Sequence, residues 1–459
     1  MLLLSALRQA SPRLDLHLPA HGRGRGLAPG LRRLLLMRRP GRWDLPELPE
    51  IGGPLELGGA VAADQAECAR LCAADRCWFG VNGASGMLQV ALLALASPGQ
   101  RVLLPRNLHR SLLHACVLGG LRPVLFDLPF DPATGLWLPP TPAWLQQRLE
   151  QAPPLAALVL VQPTYQGLAG DLRELIAVAH RHGLPVLVDE AHGAHFGQPG
   201  LPMGAIAAGA DLVVQSLHKS AGGLAQSAAL LLRRGRVSEE AIERSLLWLQ
   251  TSSPSALLLA STAAAFAHRH SAAGHRGLRL ALKRAQALRQ ALAAAGLPLA
   301  ATQDPLRLVF HSAALGINGL AADAWLLQRG VIAELPEPGC LTFCLGERPP
   351  RRALRLLPAR LQQLREALGG AALPPFSPPP IPALAEPELT PGEAWRRPQQ
   401  CLALGQALGR LAAEPICPYP PGIPLLIPGE RIDGVRLEWL LEQQRLWPGQ
   451  IADTVKVVA

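Results

Sequence analysis

Asp211-Leu212-Val213-Val214-Gln215-Ser216-Leu217-His218-Lys219-Ser220-Ala221-Gly222-Gly223 carries an apolar strand into a polar turn that holds a lysine. The chain has 459 residues and 44 Lys plus Arg, of which only Lys219, Lys283 and Lys456 are lysine. Arginine serves almost wherever a surface cation is wanted, so a lysine kept at the end of a strand points to chemistry that arginine cannot do. A guanidinium stays protonated and delocalised, whereas a primary amine can condense with a carbonyl. In α/β folds the C-terminal ends of strands are where such chemistry collects. Lys219 is therefore the candidate nucleophile, and Lys456, near the terminus, reads as a surface charge.

Thirty residues upstream, Val186-Leu187-Val188-Asp189-Glu190-Ala191-His192 ends another apolar strand on a carboxylate. A lysine and a strand-end aspartate at this spacing suit pyridoxal 5′-phosphate (PLP), which acts as an electron sink only while its pyridine nitrogen is protonated. A neighbouring carboxylate keeps it so by charge pairing. Asp189 is the candidate partner, with His192 orienting it or contacting the cofactor. Val81-Asn82-Gly83-Ala84-Ser85-Gly86-Met87 joins a strand to an apolar helix with small residues. Such a turn lets backbone N–H groups and a helix N-terminus approach a phosphate. In Pro105-Arg106-Asn107-Leu108-His109-Arg110-Ser111, His109 is a candidate to stack on the ring in a chain with two Tyr and eight Phe.

Further outward, short apolar runs at 78–81, 101–105, 123–126, 156–162, 185–189, 212–216 and 228–232 read as strands. Between them, 87–95, 109–118 and 172–182 read as helices, the last closed by Gly183 and Pro185. The alternation predicts an α/β fold with a mostly parallel sheet. The chain divides into an N-terminal segment (1–60), a large domain (61–295), a smaller α+β unit (296–370), a proline-rich linker (371–392) and a C-terminal domain (393–459). Residues 255–295 read as one or two long helices, 400–414 as a helix, and Pro418-Tyr419-Pro420-Pro421-Gly422-Ile423-Pro424 as an extended segment.

Composition narrows the function. A net charge of +10 invites a nucleic-acid reading, but the arginines are dispersed and no zinc finger, basic zipper or RNA-recognition motif is present. The eight cysteines lack the paired C-x2-C spacing of a zinc site, so no metal is expected. Met1-Leu2-Leu3-Leu4 lacks the basic and sustained apolar regions of a signal peptide. No apolar run reaches the roughly 18 residues of a membrane span. The expectation is a cytoplasmic protein with neither a nucleic acid nor a membrane as partner.

Taken in order, these segments resemble the Orn/Lys/Arg decarboxylase family of fold-type-I PLP enzymes. Leu16-His17-Leu18-Pro19-Ala20-His21-Gly22-Arg23-Gly24 is similar to the family's HxPGHKxG segment, and Asp44-Leu45-Pro46-Glu47-Leu48 to its D-L-x-E-L stretch. Pro163-Thr164-Tyr165-Gln166-Gly167 and Ser216–Lys219 follow, and Tyr419–Pro424 with Pro428-Gly429-Glu430 resembles the C-terminal signature. The resemblance implies fold type I, PLP as cofactor, and decarboxylation of arginine, lysine or ornithine, in a homodimer or higher homo-oligomer without the wing domain of larger members. It implies that Lys219 carries the cofactor as a Schiff base, that Asp189 pairs with the pyridinium and that His109 stacks on the ring. His218 and His192 would line the site, and Ala84, Ser85, Gly86, Ser216 and Thr164 would contribute to cofactor binding. Glu430 is the candidate for the substrate's distal cation. Three positions depart from the pattern: Ala20, Met87 and Leu217, the last standing where a threonine is usual. An aminotransferase, another lyase, or a catalytically drifted PLP-binding regulator are the alternatives on the same scaffold.

Overall fold

The computed structural model describes residues 14–36 and 40–459, so Met1–Leu4 lie outside the described residues. The large domain comprises β1 (Arg76–Gly80), α1 (Gly83–Leu95), β2 (Arg101–Pro105), α2 (Arg110–Gly119), β3 (Arg122–Phe126) and β4 (Ala157–Val161). It continues with α3 (Leu172–Arg181), β5 (Val186–Asp189), β6 (Leu212–Ser216), the short α4 (Leu217–Ser220) and β7 (Ala228–Leu232). Strands β2 to β6 run parallel in the spatial order β3-β2-β4-β5-β6, and β7 lies antiparallel between β6 and β1. The α/β, mostly parallel sheet is as expected.

Helices cover both faces of this sheet, which is why its strands are apolar throughout rather than alternating. Successive residues feed opposite cores: Leu103, Leu158 and Val188 pack on one side, Leu104, Val159 and Leu187 on the other. At the end of α3 the chain turns at Gly183, whose φ of +73° is a conformation glycine adopts without strain.

Two helices follow, α5 (Ala256–Arg269) and α6 (Ala272–Ala294). The smaller unit packs α6 and α7 (Ala353–Leu368) on an antiparallel sheet centred on β8 (Arg307–Phe310) and β9 (Leu341–Cys344). The N-terminal strand Leu14–Asp15 joins this unit by pairing with Val331–Ile332. Beyond it, the backbone N–H of Ala20 donates to the carbonyl of His218 at 3.1 Å. The segment carrying the His17–Gly24 motif thus reaches the turn that holds Lys219.

The proline-rich stretch is more than a connector. Within it, β10 (Leu384–Ala385) adds antiparallel to β3 at the edge of the large sheet. The helix expected over 400–414 is not formed. Residues Gln399–Ala403 are instead β11, paired antiparallel with β12 (Thr454–Val458). The local Ala/Leu pattern favours a helix, but Val455 and Val457 of the terminal strand are buried by this pairing, and tertiary burial outweighs propensity. The helix of this region is α8 (Gly434–Leu446), capped by Asp433, which accepts from Arg436 N at 2.8 Å. Among the described residues no helix is long and apolar enough to cross a membrane.

Candidate active site

Every candidate element lies at the C-terminal edge of the parallel strands, where backbone ends and loop starts leave a crevice. Asp189 is the last residue of β5, Ser216 the last of β6, and Lys219 sits one turn into α4. The loops after β1, β2 and β4 bring Asn82–Gly86, Arg106–His109 and Thr164–Gly167 to the same edge.

Lys219 Nζ lies 2.9 Å from His192 Nε2 and 5.5 Å from the centre of the Tyr165 ring. The Tyr165 and His192 rings pack at 4.0 Å between centroids. Burial lowers the proton affinity of Lys219, and the negative charge of Asp189 works against that lowering. Burial, and then the neighbouring Lys219 charge, hold His192 well below the usual imidazole range, so it faces the lysine as a neutral ring. His109 is likewise lowered by burial, with Asp189 opposing and Lys219 adding to the shift. The His109 Nδ1 accepts from Ser111 N at 3.3 Å and lies 2.8 Å from Ser111 Oγ, so the ring caps α2 and is fixed in direction. His218 is pushed down to about 4 by burial and by Lys219, and its Nδ1 is 3.0 Å from Ser216 Oγ.

The remaining candidates lie on the loops after β1 and β4. Ala84 and Gly86 are buried and Ser85 exposed in the first turn of α1, whose N-terminus carries no side-chain cap. Thr164 is buried, and its hydroxyl accepts from Leu168 N at 3.2 Å, holding the turn that presents Tyr165. Two departures from the family pattern land in the core: Met87 and Leu217 are fully buried, packed among apolar side chains. They fill volume and leave the polar groups around Lys219 in place.

Glu430 is a correction. Its carboxylate is buried and already taken: Arg106 donates to it from Nη1 at 2.9 Å and Nη2 at 2.5 Å, and Ile427 N donates at 2.8 Å. The expectation that it meets a substrate cation gives way to a structural pair that fastens the C-terminal domain to the loop carrying His109. In its place the structure brings to Lys219 four groups that no motif flagged with a role: Tyr165, Arg307, Glu334 and Cys344. Tyr165 sits inside a quoted motif, but Arg307 is one arginine among many.

The donor set fits PLP. The site offers a buried primary amine, and Asp189 has only its Oδ1 engaged among the described residues, accepting from Ala191 N at 3.0 Å. It also offers an uncapped helix N-terminus for a phosphate, and a buried His192 Nδ1 without a partner. An aldehyde, a pyridine nitrogen and an anion are the groups these features would satisfy.

Comparison with known proteins agrees. The family model for the Orn/Lys/Arg decarboxylase major domain matches residues 41–310, and that for the Orn/Lys/Arg decarboxylase C-terminal domain matches residues 377–452. An arginine decarboxylase of Halalkalibacterium halodurans is 32% identical over 451 residues, covering 94% of this chain and 90% of the relative. An arginine decarboxylase of Bacillus subtilis is 31% identical over 447 residues, with 94% and 90% coverage. Among solved structures, lysine decarboxylase A of Pseudomonas aeruginosa superposes with a TM-score of 0.76 at 17% identity, covering 95% of this chain and 82% of its own, a likeness of fold.

Proposed function

Because the chain belongs to the Orn/Lys/Arg decarboxylase family, we propose that the Lys219 pocket decarboxylates a basic amino acid, arginine before lysine or ornithine, with PLP as cofactor. The observation that carries this reading is the buried Lys219 amine held 2.9 Å from a neutral His192 and within the field of Asp189. The preference for arginine rests on the names of the relatives that align over nearly the whole chain.

In this reading Lys219 holds the cofactor, Asp189 pairs with its ring nitrogen and His109 packs on its face. Ala84, Ser85 and Ser216 would bind its phosphate, and Gly86 and Thr164 would contribute to holding the cofactor. When bound there, PLP supplies an aldehyde for amine condensation and a protonated pyridine that accepts the electrons left by departing CO2. The chain's own residues do the rest. Burial lowers the cost of deprotonating Lys219, so its free amine is available nearer neutral pH. His192, neutral and hydrogen-bonded to Nζ, holds the lysine nitrogen in direction. His218, also kept neutral, is fixed beside Ser216 by their mutual hydrogen bond. The Tyr165 ring packs on His192 with its centre 5.5 Å from Nζ.

We further propose a cytoplasmic homodimer that supplies amines for polyamine synthesis. Its eight cysteines, all free, suit a reducing compartment. Leu247 and Trp248, 69% and 82% exposed beside the loop that follows Leu249, suit a subunit contact.

The test is an absorbance spectrum with PLP before and after borohydride, for the native protein and Lys219→Ala, followed by CO2 release from arginine, lysine and ornithine. A borohydride-sensitive band that needs Lys219, with CO2 from arginine, is the expected result. A Lys219-dependent band with keto-acid or no turnover at all would move the function to an aminotransferase or a regulator. No band would remove the cofactor assignment.

A further inference from the structure

Arg307 is the first residue of β8, in the smaller unit, opposite Cys344 of β9. It is 1% exposed, and its Nε and Nη2 have no hydrogen-bond partner. A buried donor left unsatisfied costs about 1–3 kcal/mol, more when charged, and a guanidinium does not escape the cost by losing its proton. Arg269 also buries two unbonded nitrogens, so it is the placement of Arg307 against the turn that carries Tyr165 that directs it toward a ligand.

The neighbouring acids Asp304 and Glu334 favour the Arg307 charge against its burial, but neither makes a hydrogen bond to its guanidinium. Asp304 accepts from His195 Nε2 and Leu306 N, both at 2.9 Å, and Glu334 accepts from Leu18 N at 2.7 Å. Burial pushes the Cys344 thiol up to about 12, so it is neutral. The side chain of Arg307 is also held in direction. Gly167, at a φ of +84°, lies so close that a Cβ there would sit 2.7 Å from Arg307 Cγ and 2.8 Å from its Cβ.

Its charge is felt by Lys219 and by His192, in each case after burial as the main cause. Gly167, which packs against Arg307, belongs to the turn that carries Tyr165, and the Tyr165 ring packs on His192 with its centre 5.5 Å from Nζ, so Arg307 lies on the Tyr165–His192 side of the lysine. Resting on the decarboxylase reading, we infer that Arg307 receives the α-carboxylate of the substrate, as a two-pronged donor from Nε and Nη2. A guanidinium edge matches a carboxylate's two oxygens in this way. The smaller unit thereby orients the very group the reaction removes.

The inference separates amino acids from the amines they yield, because only the former carry the carboxylate. Holoenzyme would be titrated by absorbance with agmatine, cadaverine and putrescine. Affinity for arginine, lysine and ornithine would be taken from the concentration dependence of the first spectral change after rapid mixing. In Arg307→Met, amino-acid affinity should fall about 100-fold, the loss expected for a charge-assisted pair of bonds, with amine and PLP affinity unchanged. Arg307→Lys, which keeps the charge but not the fork, should show a smaller loss of the same selectivity, and it decides alone if the methionine variant does not fold. Equal losses for amine and amino acid, or no loss for either, would overturn the inference. A fall in PLP affinity with the amine/amino-acid ratio unchanged would assign Arg307 to the cofactor phosphate instead. If the native protein binds neither amine nor amino acid, the decarboxylase reading itself fails and takes the inference with it.

Discussion

Replacing Glu430 with glutamine should loosen the C-terminal domain far from the catalytic lysine. Arg106 is fully buried and Glu430 4% exposed, and the two share paired hydrogen bonds across 324 residues of sequence. Removing one member of a buried ion pair costs about 3–5 kcal/mol, because the other charge stays buried and unpaired. At about 1.4 kcal/mol per tenfold change, Glu430→Gln should raise the local opening equilibrium by roughly 10²- to 10³-fold. The reporter is built in: Ile427 N–H donates to Glu430, so its hydrogen exchange should accelerate by that factor while the amides of β5 and β6 stay protected. The double variant Arg106→Met, Glu430→Gln removes both charges, keeps much of the volume and leaves the glutamine oxygen to accept from Ile427 N. It should exchange more slowly than the single variant, by at least about tenfold, since no unpaired charge remains. If the single variant exchanges at the native rate, or the double variant is faster than the single, the pair is not what fastens this domain.

Three further outcomes follow from the geometry. Asp189→Asn removes the negative charge that raises both His109 and Lys219, so both groups should titrate at lower pH than in the native protein, read from the His109 ring proton shift and the pH dependence of the PLP band. Burial pushes the Glu190 carboxyl up to about 7 from an ordinary 4.5, so the folded state holds a proton that the unfolded chain has lost between those values. Its stabilising share is therefore complete below pH 4.5 and lost as pH rises through 7, by about 3 kcal/mol; Glu190→Gln should flatten the fall in thermal midpoint between pH 5 and 8, leaving the part owed to Glu337, which is also pushed up to about 7. Gly167→Ala forces a Cβ against Arg307 and Asp304 at a positive φ, so it should cost about 1–3 kcal/mol in denaturant titrations; a neutral result would show that the turn can shift away from Arg307.

The parts legible in the sequence share a physical cause. Strands β5 and β6 are buried on both faces, so each opens as an apolar run, Val186–Val188 and Leu212–Val214. Asp189 and Lys219 break those runs at their ends, where a charge has to be explained. The missed parts depend on pairings that no local window contains. The strand Gln399–Ala403 forms only because Thr454–Val458 returns beside it, and Glu430 finds Arg106 rather than a substrate because the fold closes a loop of 324 residues. Arg307 was hidden by the feature that made Lys219 visible. With three lysines among 44 basic residues, a lysine at a strand end stands out and an arginine does not. What separates Arg307 from the other arginines is neither its identity nor its spacing. Arg269 also buries an Nε and an Nη1 without a partner, so what marks Arg307 is its place against the Gly167 turn that carries Tyr165 to Lys219, and that placement exists only once β8 is packed there. In a chain this rich in arginine, unbonded nitrogens on a buried guanidinium point to a ligand only where, as at Arg307, the side chain packs beside the residues that surround the reacting lysine.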